Sequence, residues 1–567
     1  MDKNQLIEIL NKIGVLLEIK GENPFKSKAY YNAARTLENL DEDIESLIRE
    51  DRLKDLKGIG DALNKKIIEY YTTGRIEYYE SLKAELPESL LEIMNVPGIG
   101  PKKIGVLYRQ LGIKNIGELE YACIENRLIE LPGFGEKTQK KFLDGIMQYK
   151  KYQGKYLYSE AYGQAEEILS YLKSCKDIIN IEVAGSLRRK REIIRDVDIL
   201  VSSSKPQEVM DIFLNGPYVR ETIAAGETKS SIYTRYGIQV DLRVIGPEEY
   251  PYALQYFTGS KEHNVAMRHR SKEMGLKMNE YGLFRGEENI QVKDEVELYK
   301  MLGLDFIPPE LREDMGEIEA AANHSLPYLI SDKDIKGIFH VHTIYSDGKA
   351  TIEEIAYKAK ELGYEYIGIT DHSQSAFYAG GLKEEDLLRQ WDEIDHLNEM
   401  IGGVKILKGI ESDILIDGSL DYPEELLKRF DFIIGSVHSN FGLSEYNMTE
   451  RIVKALQNPY LTILGHPTGR LLLSREGYKL DIKRVIDEAA RNNKIIEINA
   501  NPYRLDMDWR MLKIAKEKGV RFAIGPDAHN IEGLKDVKYG VGIARKGWLE
   551  PQDVINCMDM EDIIKLF

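Results

Sequence analysis

Apolar residues recur every three or four positions through residues 1–150, as in Leu6, Ile9, Leu10, Ile13 and Leu17, which puts them on one stripe of a helix. Short helices joined by Gly-rich turns are expected there. From about Ile181 the period changes: runs such as 196–201 and 238–244 have strand length and lie between helical stretches, so a mixed α+β fold is expected. After residue 335, short apolar runs at 337–341, 366–370, 404–409, 431–435, 462–464, 495–499 and 521–524 alternate with helical stretches. That order predicts a parallel sheet, closed as a β/α barrel. Residues 304–335, with Pro308-Pro309, an acidic helical stretch and Ser331-Asp-Lys-Asp, read as a connector.

A chain of 567 residues exceeds one core and divides into roughly three to five domains. The expected borders are 1–90, 91–150, 151–240, 241–315, a linker at 316–334, and 335–567. The start shows no signal-peptide pattern and no long uncharged apolar run could span a bilayer, so a cytoplasmic protein with no membrane partner is expected, taken as a monomer. Cys123, Cys175 and Cys557 form no C-x-x-C pair, so any metal must use His and carboxylates. The net charge of −17 conceals an asymmetry: residues 1–300 hold 45 basic and 48 acidic side chains, the rest 32 and 46. Between Pro101 and Arg195 the balance reverses to 18 basic and 12 acidic, a region suited to phosphate backbones.

Leu56-Lys-Gly-Ile-Gly, Val96-Pro-Gly-Ile-Gly and Leu131-Pro-Gly-Phe-Gly form a repeat, each copy followed by lysines and an apolar helix. This is the helix-hairpin-helix pattern. Gly58, Gly60, Gly98, Gly100, Gly133 and Gly135 let backbone N–H groups approach a DNA phosphate at a helix start without reading bases. A single copy would equally suit a plain helix-connecting turn, but three copies argue for DNA binding.

Asp196-Val-Asp198 puts two carboxylates on one face of a strand, and Asp241 lies in a second strand. Three such carboxylates suit two-metal phosphoryl transfer with Mg²⁺ or Mn²⁺. A D-x-D pair alone equally fits surface charge alternation. Context decides, because Gly185-Ser-Leu-Arg-Arg189 precedes it with two arginines suited to a phosphate chain. Together with Tyr256-Phe-Thr-Gly-Ser260, Asn264 and Arg268, these residues resemble the family X DNA polymerases, the DNA polymerase beta family, over roughly residues 1–315. The resemblance implies an all-α helix-hairpin-helix region, then an α+β nucleotidyltransferase palm and thumb. It also implies that Ser186 and Arg189 hold a deoxynucleoside triphosphate, that Tyr256 and Phe257 abut its sugar, that Asn264 and Arg268 contact the nascent pair, and that Gly185 and Gly259 belong to the same nucleotide-binding set. Where relatives carry an Arg-apolar-Pro segment, this chain has Tyr156-Leu-Tyr-Ser-Glu-Ala, which predicts weaker nucleotide binding. Lys66 resembles the family's Schiff-base lysine, though a solvated phosphate contact fits it better.

Six of the ten histidines fall at or after predicted strand ends: His340, His342, His372, His438, His466 and His529. Asp347, Asp371, Glu411 and Asp527 occupy the same kind of position. Strand C-termini of a β/α barrel converge on one mouth, so these donors are expected to share a site. Imidazole mixed with carboxylate suits two or three Zn²⁺, Mn²⁺ or Fe²⁺ ions and hydrolysis of a phosphoester. The set resembles the PHP phosphoesterases, and Thr-Asp-His-Ser-Gln-Ser, Gly-His-Pro-Thr-Gly-Arg and Asn-Ala-Asn-Pro resemble PHP domains attached to bacterial family X polymerases. By that resemblance His340, His342, Asp347, His372, Glu411, His438, His466, Asp527 and His529 are metal ligands, and Asp371 orients one of them. Pro526 stands where relatives often carry a hydroxyl residue. His263, His269, His324 and His396 fall outside the set.

The expected function is gap filling on gapped or nicked DNA in repair, coupled to a 3′–5′ exonuclease or 3′-end phosphoesterase. The alternatives are a histidinol-phosphatase-like enzyme with a DNA-binding polymerase half, and an inert scaffold.

Overall fold

A computed structural model describes residues 3–567 except 41, 125–127, 129, 130, 132, 153, 474 and 475. The chain forms two compact units, 1–153 and 154–567.

The first unit is all helical, and its apolar stripes meet in one core that includes Leu6, Leu10, Ile13, Tyr70, Leu107 and Phe142. The repeat folds alike three times. Gly58, Gly98 and Gly133 take φ of 92°, 88° and 82°, a left-handed conformation that glycine adopts without steric penalty. Each turn closes with a backbone hydrogen bond, Ile59 N to Leu56 O, Ile99 N to Val96 O and Phe134 N to Leu131 O. Gly60, Gly100 and Gly135 then stand at the starts of Asp61–Thr73, Pro101–Leu111 and Glu136–Tyr152. Of the third copy, Pro132 lies outside the described residues.

The second unit begins with a five-stranded sheet in the order Asn180–Val183, Asp196–Ser202, Gln239–Ile245, Lys229–Thr234, Val219–Ala225. Only the Asp196–Ser202 and Gln239–Ile245 pair is parallel. Helices Tyr158–Leu172 and Pro206–Leu214 cover the sheet through Ala165, Ile168, Val209 and Phe213. The border expected at 240, between the palm and the end of palm with thumb, falls inside the strand Gln239–Ile245.

Helices Tyr250–Thr258 and Lys261–Glu273, a three-stranded sheet and helix Glu295–Met301 follow. Their core includes Tyr252, Met267, Leu298 and Tyr299, and also Ala321 and Leu329. The segment expected as a linker therefore packs as part of this region. Glu317 is fully buried, 2.7 Å from His263 Nδ1, while Tyr299 Oη lies 2.9 Å from His263 Nε2.

From Gly337 seven parallel strands run in sequence order, Gly337–Val341, Tyr366–Ile369, Lys405–Asp413, Phe432–Ser436, Ile463–Leu464, Ile495–Asn499 and Phe522–Gly525. The ring closes where His342 N donates to Ala528 O at 2.9 Å and Ala528 N to His340 O at 3.2 Å. Phe339, Tyr366, Phe432, Ile463 and Ile495 fill the barrel floor, with the Phe567 ring stacked 5.2 Å from Phe432. With the floor filled, the polar donors are left to the opposite mouth.

Candidate functional site

A barrel mouth lined by histidine and carboxylate

A register shift between Ile338 and Val341 interrupts the first barrel strand, and His340 has φ 65°. The bulge turns His340 inward one residue after the inward-facing Phe339, and His342 follows on the same side. Asp527, after the last strand, also has a left-handed φ of 51°. His340 and Asp527 are two of the eleven non-glycine residues with positive φ among the described residues, and both stand at the mouth, where such a costly conformation suits geometry imposed for function.

Glu411 is the hub. Its Oε1 lies 3.3 Å from His340 Nε2, 3.2 Å from His438 Nε2 and 2.9 Å from His466 Nε2, and its Oε2 lies 3.0 Å from His372 Nδ1. Asp527 Oδ1 stands 3.6 and 3.4 Å from His340 and His342 Nε2. Asp347 bridges the outer edge, 3.6 Å from His372 Nε2 and 3.3 Å from His529 Nε2. All nine expected donors thus come together, and they fall into four overlapping groups with ligand atoms within 4.8 Å.

Electrostatics fit a cation. His340 Nε2, both nitrogens of His342 and His466 Nδ1 are buried without a hydrogen-bond partner among the described residues. Such atoms are costly unless a ligand satisfies them. Although burial opposes it, the Glu411 charge and the Asp347 hydrogen bond push His372 up to about 10. His438 is pushed up to about 9 against burial, mainly by Glu411 and Asp413. Burial pushes His342 down to about 4. The carboxylates Glu411 and Asp527 are held well below their ordinary range by the surrounding histidines despite burial.

Asp371 does not face the cluster. Its carboxylate accepts from Thr343 N and Thr343 Oγ1 at 2.7 Å, Ser346 Oγ at 2.5 Å and Gln390 Nε2 at 2.7 Å, bracing the loop after His342. Two carboxylates escaped the sequence reading. Glu497 lies 2.5 Å from His340 Nδ1 and accepts from His466 N at 2.7 Å, and Asp413 lies 2.5 Å from His438 Nδ1. A carboxylate on the second ring nitrogen fixes which nitrogen is free to bind. Glu497 was visible as one acid inside the apolar run Ile495-Ile-Glu-Ile-Asn.

Three carboxylates on the palm sheet

In-register pairing sets Asp198 beside Asp241, with Asp196 two residues along the same face. Burial, then the charges of Asp196 and Asp241, pushes Asp198 up to about 6. Burial raises Asp241, but hydrogen bonds from Gln239, Ser231 and Lys229 outweigh it and hold Asp241 below its ordinary range. Lys229 Nζ lies 3.2 Å from Asp241 Oδ2. A carboxyl raised by two neighbouring acids suits a site for divalent cations.

Gly185, at φ 58°, leaves no room for a side chain, since a Cβ would stand 2.4 Å from Asp198 Oδ2. It opens the single turn Gly185–Arg188, which contains Ser186. Tyr256 and Phe257 lie edge to face at 5.2 Å, and Arg243 covers the Phe257 ring at 4.5 Å. Gly259 has φ 69°. Asn264 Nδ2 donates to Tyr256 O at 2.7 Å, and Arg268 is exposed on the same helix.

The arginines of the turn are engaged elsewhere. Arg188 makes a fork to Glu295 at 2.6 and 3.1 Å, and Arg189 Nε lies 3.1 Å from Glu313 while its Nη1 donates to Thr258 O at 2.5 Å. Arg189 therefore ties palm to thumb, and sequence could not show a partner 124 residues away. In the first unit, Lys66 is half-buried with its amine 4.9 Å from the Tyr78 ring centroid. A Cβ at Gly60, Gly100 or Gly135 would meet nothing within 4 Å, so the helix starts beside them are open.

Fold and sites together define a polymerase beta-type chain joined to a PHP barrel. Family models for a helix-hairpin-helix domain match residues 1–76, a SAM-like helix-hairpin-helix tandem 90–145, the DNA polymerase beta thumb 253–313 and the PHP domain 339–501. The chain is 40% identical to the DNA polymerase/3′-5′ exonuclease PolX of Bacillus subtilis over 99% of both chains. It is also 36% identical to a probable phosphatase of Caldanaerobacter subterraneus and 33% identical to one of Acetivibrio thermocellus. Those two matches cover 34% of this chain and 74% and 78% of theirs. The chain belongs to the bacterial PolX family of family X DNA polymerases. Among the described residues, no helix is long and apolar enough to cross a membrane.

Proposed function

We propose that this chain fills short gaps in DNA during repair, adding deoxynucleotides with its palm and removing nucleotides from 3′ ends with its barrel. The observation that carries this reading is two separate donor sets within one compact unit, the palm carboxylates and the barrel ring.

Asp196, Asp198 and Asp241 would hold Mg²⁺ or Mn²⁺. Two such ions supply activation of a 3′-hydroxyl and charge neutralisation on a triphosphate. Gly185 and Ser186 would cradle the triphosphate, Tyr256, Phe257 and Gly259 would abut the sugar, and Asn264 and Arg268 would meet the nascent pair. Arg189 reaches the phosphates only by exchanging Glu313 for them, which weakens its contribution. The glycines of the three hairpins would grip DNA phosphates. Lys66 stands as either a Schiff-base lysine or a phosphate contact.

His340, His342, Asp347, His372, Glu411, His438, His466, Asp527 and His529 would hold two or three Zn²⁺, Mn²⁺ or Fe²⁺ ions. Bound there, such ions supply a nucleophile from water at neutral pH and a clamp on the phosphate. Glu497 and Asp413 keep His340 and His438 in the ligating tautomer.

A gapped duplex incubated with the full chain, deoxynucleotides and Mg²⁺ or Mn²⁺ tests this. Extension across the gap and 3′ shortening without nucleotides are expected. The similarity to probable phosphatases favours a second reading of the barrel, as a small-molecule phosphatase. Faster hydrolysis of histidinol phosphate or a sugar phosphate than of a recessed 3′ end would establish it instead. A purified chain without stoichiometric metal or either activity would be a scaffold.

A further inference from the structure

Asp527 divides its two oxygens. Oδ1 faces His340 and His342, while Oδ2 lies 3.2 Å from Arg504 Nε and accepts from Asn499 Nδ2 at 3.2 Å. Arg504 sits in the loop after the strand Ile495–Asn499, at the same mouth as the donors. Its charge acts on His466 as well as Asp527. Its Nε is occupied, but its two Nη groups have no partner among the described residues. A guanidinium edge left open beside this cluster of histidine and carboxylate donors is shaped for a phosphate oxygen pair.

The loop that presents Arg504 is forced into shape. Leu505 has φ 41°, a left-handed conformation that a branched side chain rarely adopts. Arg470 holds it there, donating from Nε to Arg504 O at 3.0 Å and from Nη2 to Leu505 O. Arg470 in turn faces a residue of the palm: its Nη2 lies 3.6 Å from Glu192 Oε1. The other Glu192 oxygen accepts from Trp509 Nε1 at 3.3 Å, and Glu192 is only 7% exposed. Asp508, 3.7 Å from Arg470 Nη1, is the second acid on the same guanidinium. A path of direct contacts therefore runs from the end of the palm's Gly-Ser-Leu-Arg-Arg segment to a ligand of the barrel site.

We propose that Arg504 binds the scissile phosphate in the barrel, and that Glu192 of the palm is a positioning residue that sets Arg504 through Arg470. This rests on the hydrolytic reading of the barrel. It makes the hydrolytic site complete only when the palm is docked, so the two halves are one structural device and not two enzymes in tandem.

The test uses the full chain, with bis(p-nitrophenyl) phosphate and a single-stranded DNA 3′ end as substrates and inorganic phosphate as inhibitor. Arg504→Ala should lower kcat/KM on both substrates about 100-fold and weaken phosphate inhibition about tenfold, with bound metal unchanged. Arg504→Lys should recover part of the loss. Glu192→Gln should lower kcat/KM about fivefold alone but add nothing in the Arg504→Ala background, because coupled residues are non-additive. Equal losses from Glu192→Gln in both backgrounds would show that it only loosens the seam, and would overturn the positioning role. Unchanged phosphate inhibition in Arg504→Ala, or a metal loss that accounts for its rate, would overturn the phosphate role. A wild-type chain that cleaves the small ester but not DNA would instead sink the exonuclease reading, and leaves the Arg504 comparison readable on the ester.

Discussion

The barrel and the palm both gather carboxylates, yet they hold them in opposite ways. In the barrel, His340 and His342 are 0% exposed, Glu411 and His466 1%, and Asp527 6%, each fixed at a strand end or bulge of a closed ring. In the palm, Asp196 is exposed and Asp198 and Asp241 are half-buried on an open sheet, while Tyr256, Phe257, Asn264 and Arg268 stand on separate helices. A buried ring of donors is preorganised before any substrate arrives. An open sheet facing separate helices leaves the substrate to bring the parts together.

The largest expected effect separates the two. Asp198→Asn should cut nucleotide addition by roughly three orders of magnitude, the ~4 kcal/mol that charge neutralisation at such a centre is worth, and leave 3′ hydrolysis within a few-fold. His340→Ala should do the reverse. Steady-state rates on one gapped duplex read both; a variant that silences both activities would abolish the contrast.

Next comes the support behind the barrel donors. Glu497→Gln keeps volume but loses the charge 2.5 Å from His340 Nδ1, and should weaken metal binding about 10- to 100-fold in chelator competition. Palm function should not move. If metal affinity holds, preorganisation does not come from the carboxylate partners.

Proton linkage distinguishes the sites more finely. Asp198 is pushed up to about 6, above its ordinary 3.8, so it takes a proton as pH falls through 6. A protonated carboxyl must ionise to bind metal, so the Mg²⁺ needed for nucleotide addition should rise by up to about tenfold per pH unit below 6. His372 and His438, at about 10 and 9, are protonated at neutral pH until a cation displaces those protons. Loading the barrel at pH 7.5 should therefore release protons, and loading the palm should not. Calorimetry in two buffers of different ionisation heat checks this; equal release from both would erase the distinction.

The barrel was far more legible than the palm's surroundings, for a physical reason. Its donors follow short apolar strands, so register along the chain becomes register around the mouth, and the runs at 337–341 and 495–499 were read to their ends. What escaped depends on partners far away in sequence. Glu497 answers His340 across 157 residues, Arg189 is taken by Glu313 across 124, and Trp509 meets Glu192 across 317. The stretch at 316–334 reads as a connector because an acidic helical stretch lies there between Pro308-Pro309 and Ser331-Asp-Lys-Asp, but burial of Glu317 against His263 makes it part of the thumb core. Local pattern reports which face is apolar, and not which charge will sit opposite.

The smallest expected effect asks whether the contrast reaches DNA capture. Gly58 needs its left-handed φ of 92°, so Gly58→Ala carries strain of about 1–2 kcal/mol and should lower the melting temperature of the chain. Gly60 differs, because its φ is −84° and a Cβ there meets nothing within 4 Å. Gly60→Ala should therefore leave stability within about 0.5 kcal/mol, yet place a methyl group where a phosphate would approach the helix start. A few-fold rise in KM for gapped duplex, with an unchanged melt, is expected for nucleotide addition. Because the barrel's site is complete without a template, 3′ hydrolysis of a single strand should rise less. Equal rises for both activities would mean that one DNA grip feeds both sites, and that the difference between palm and barrel begins only after capture.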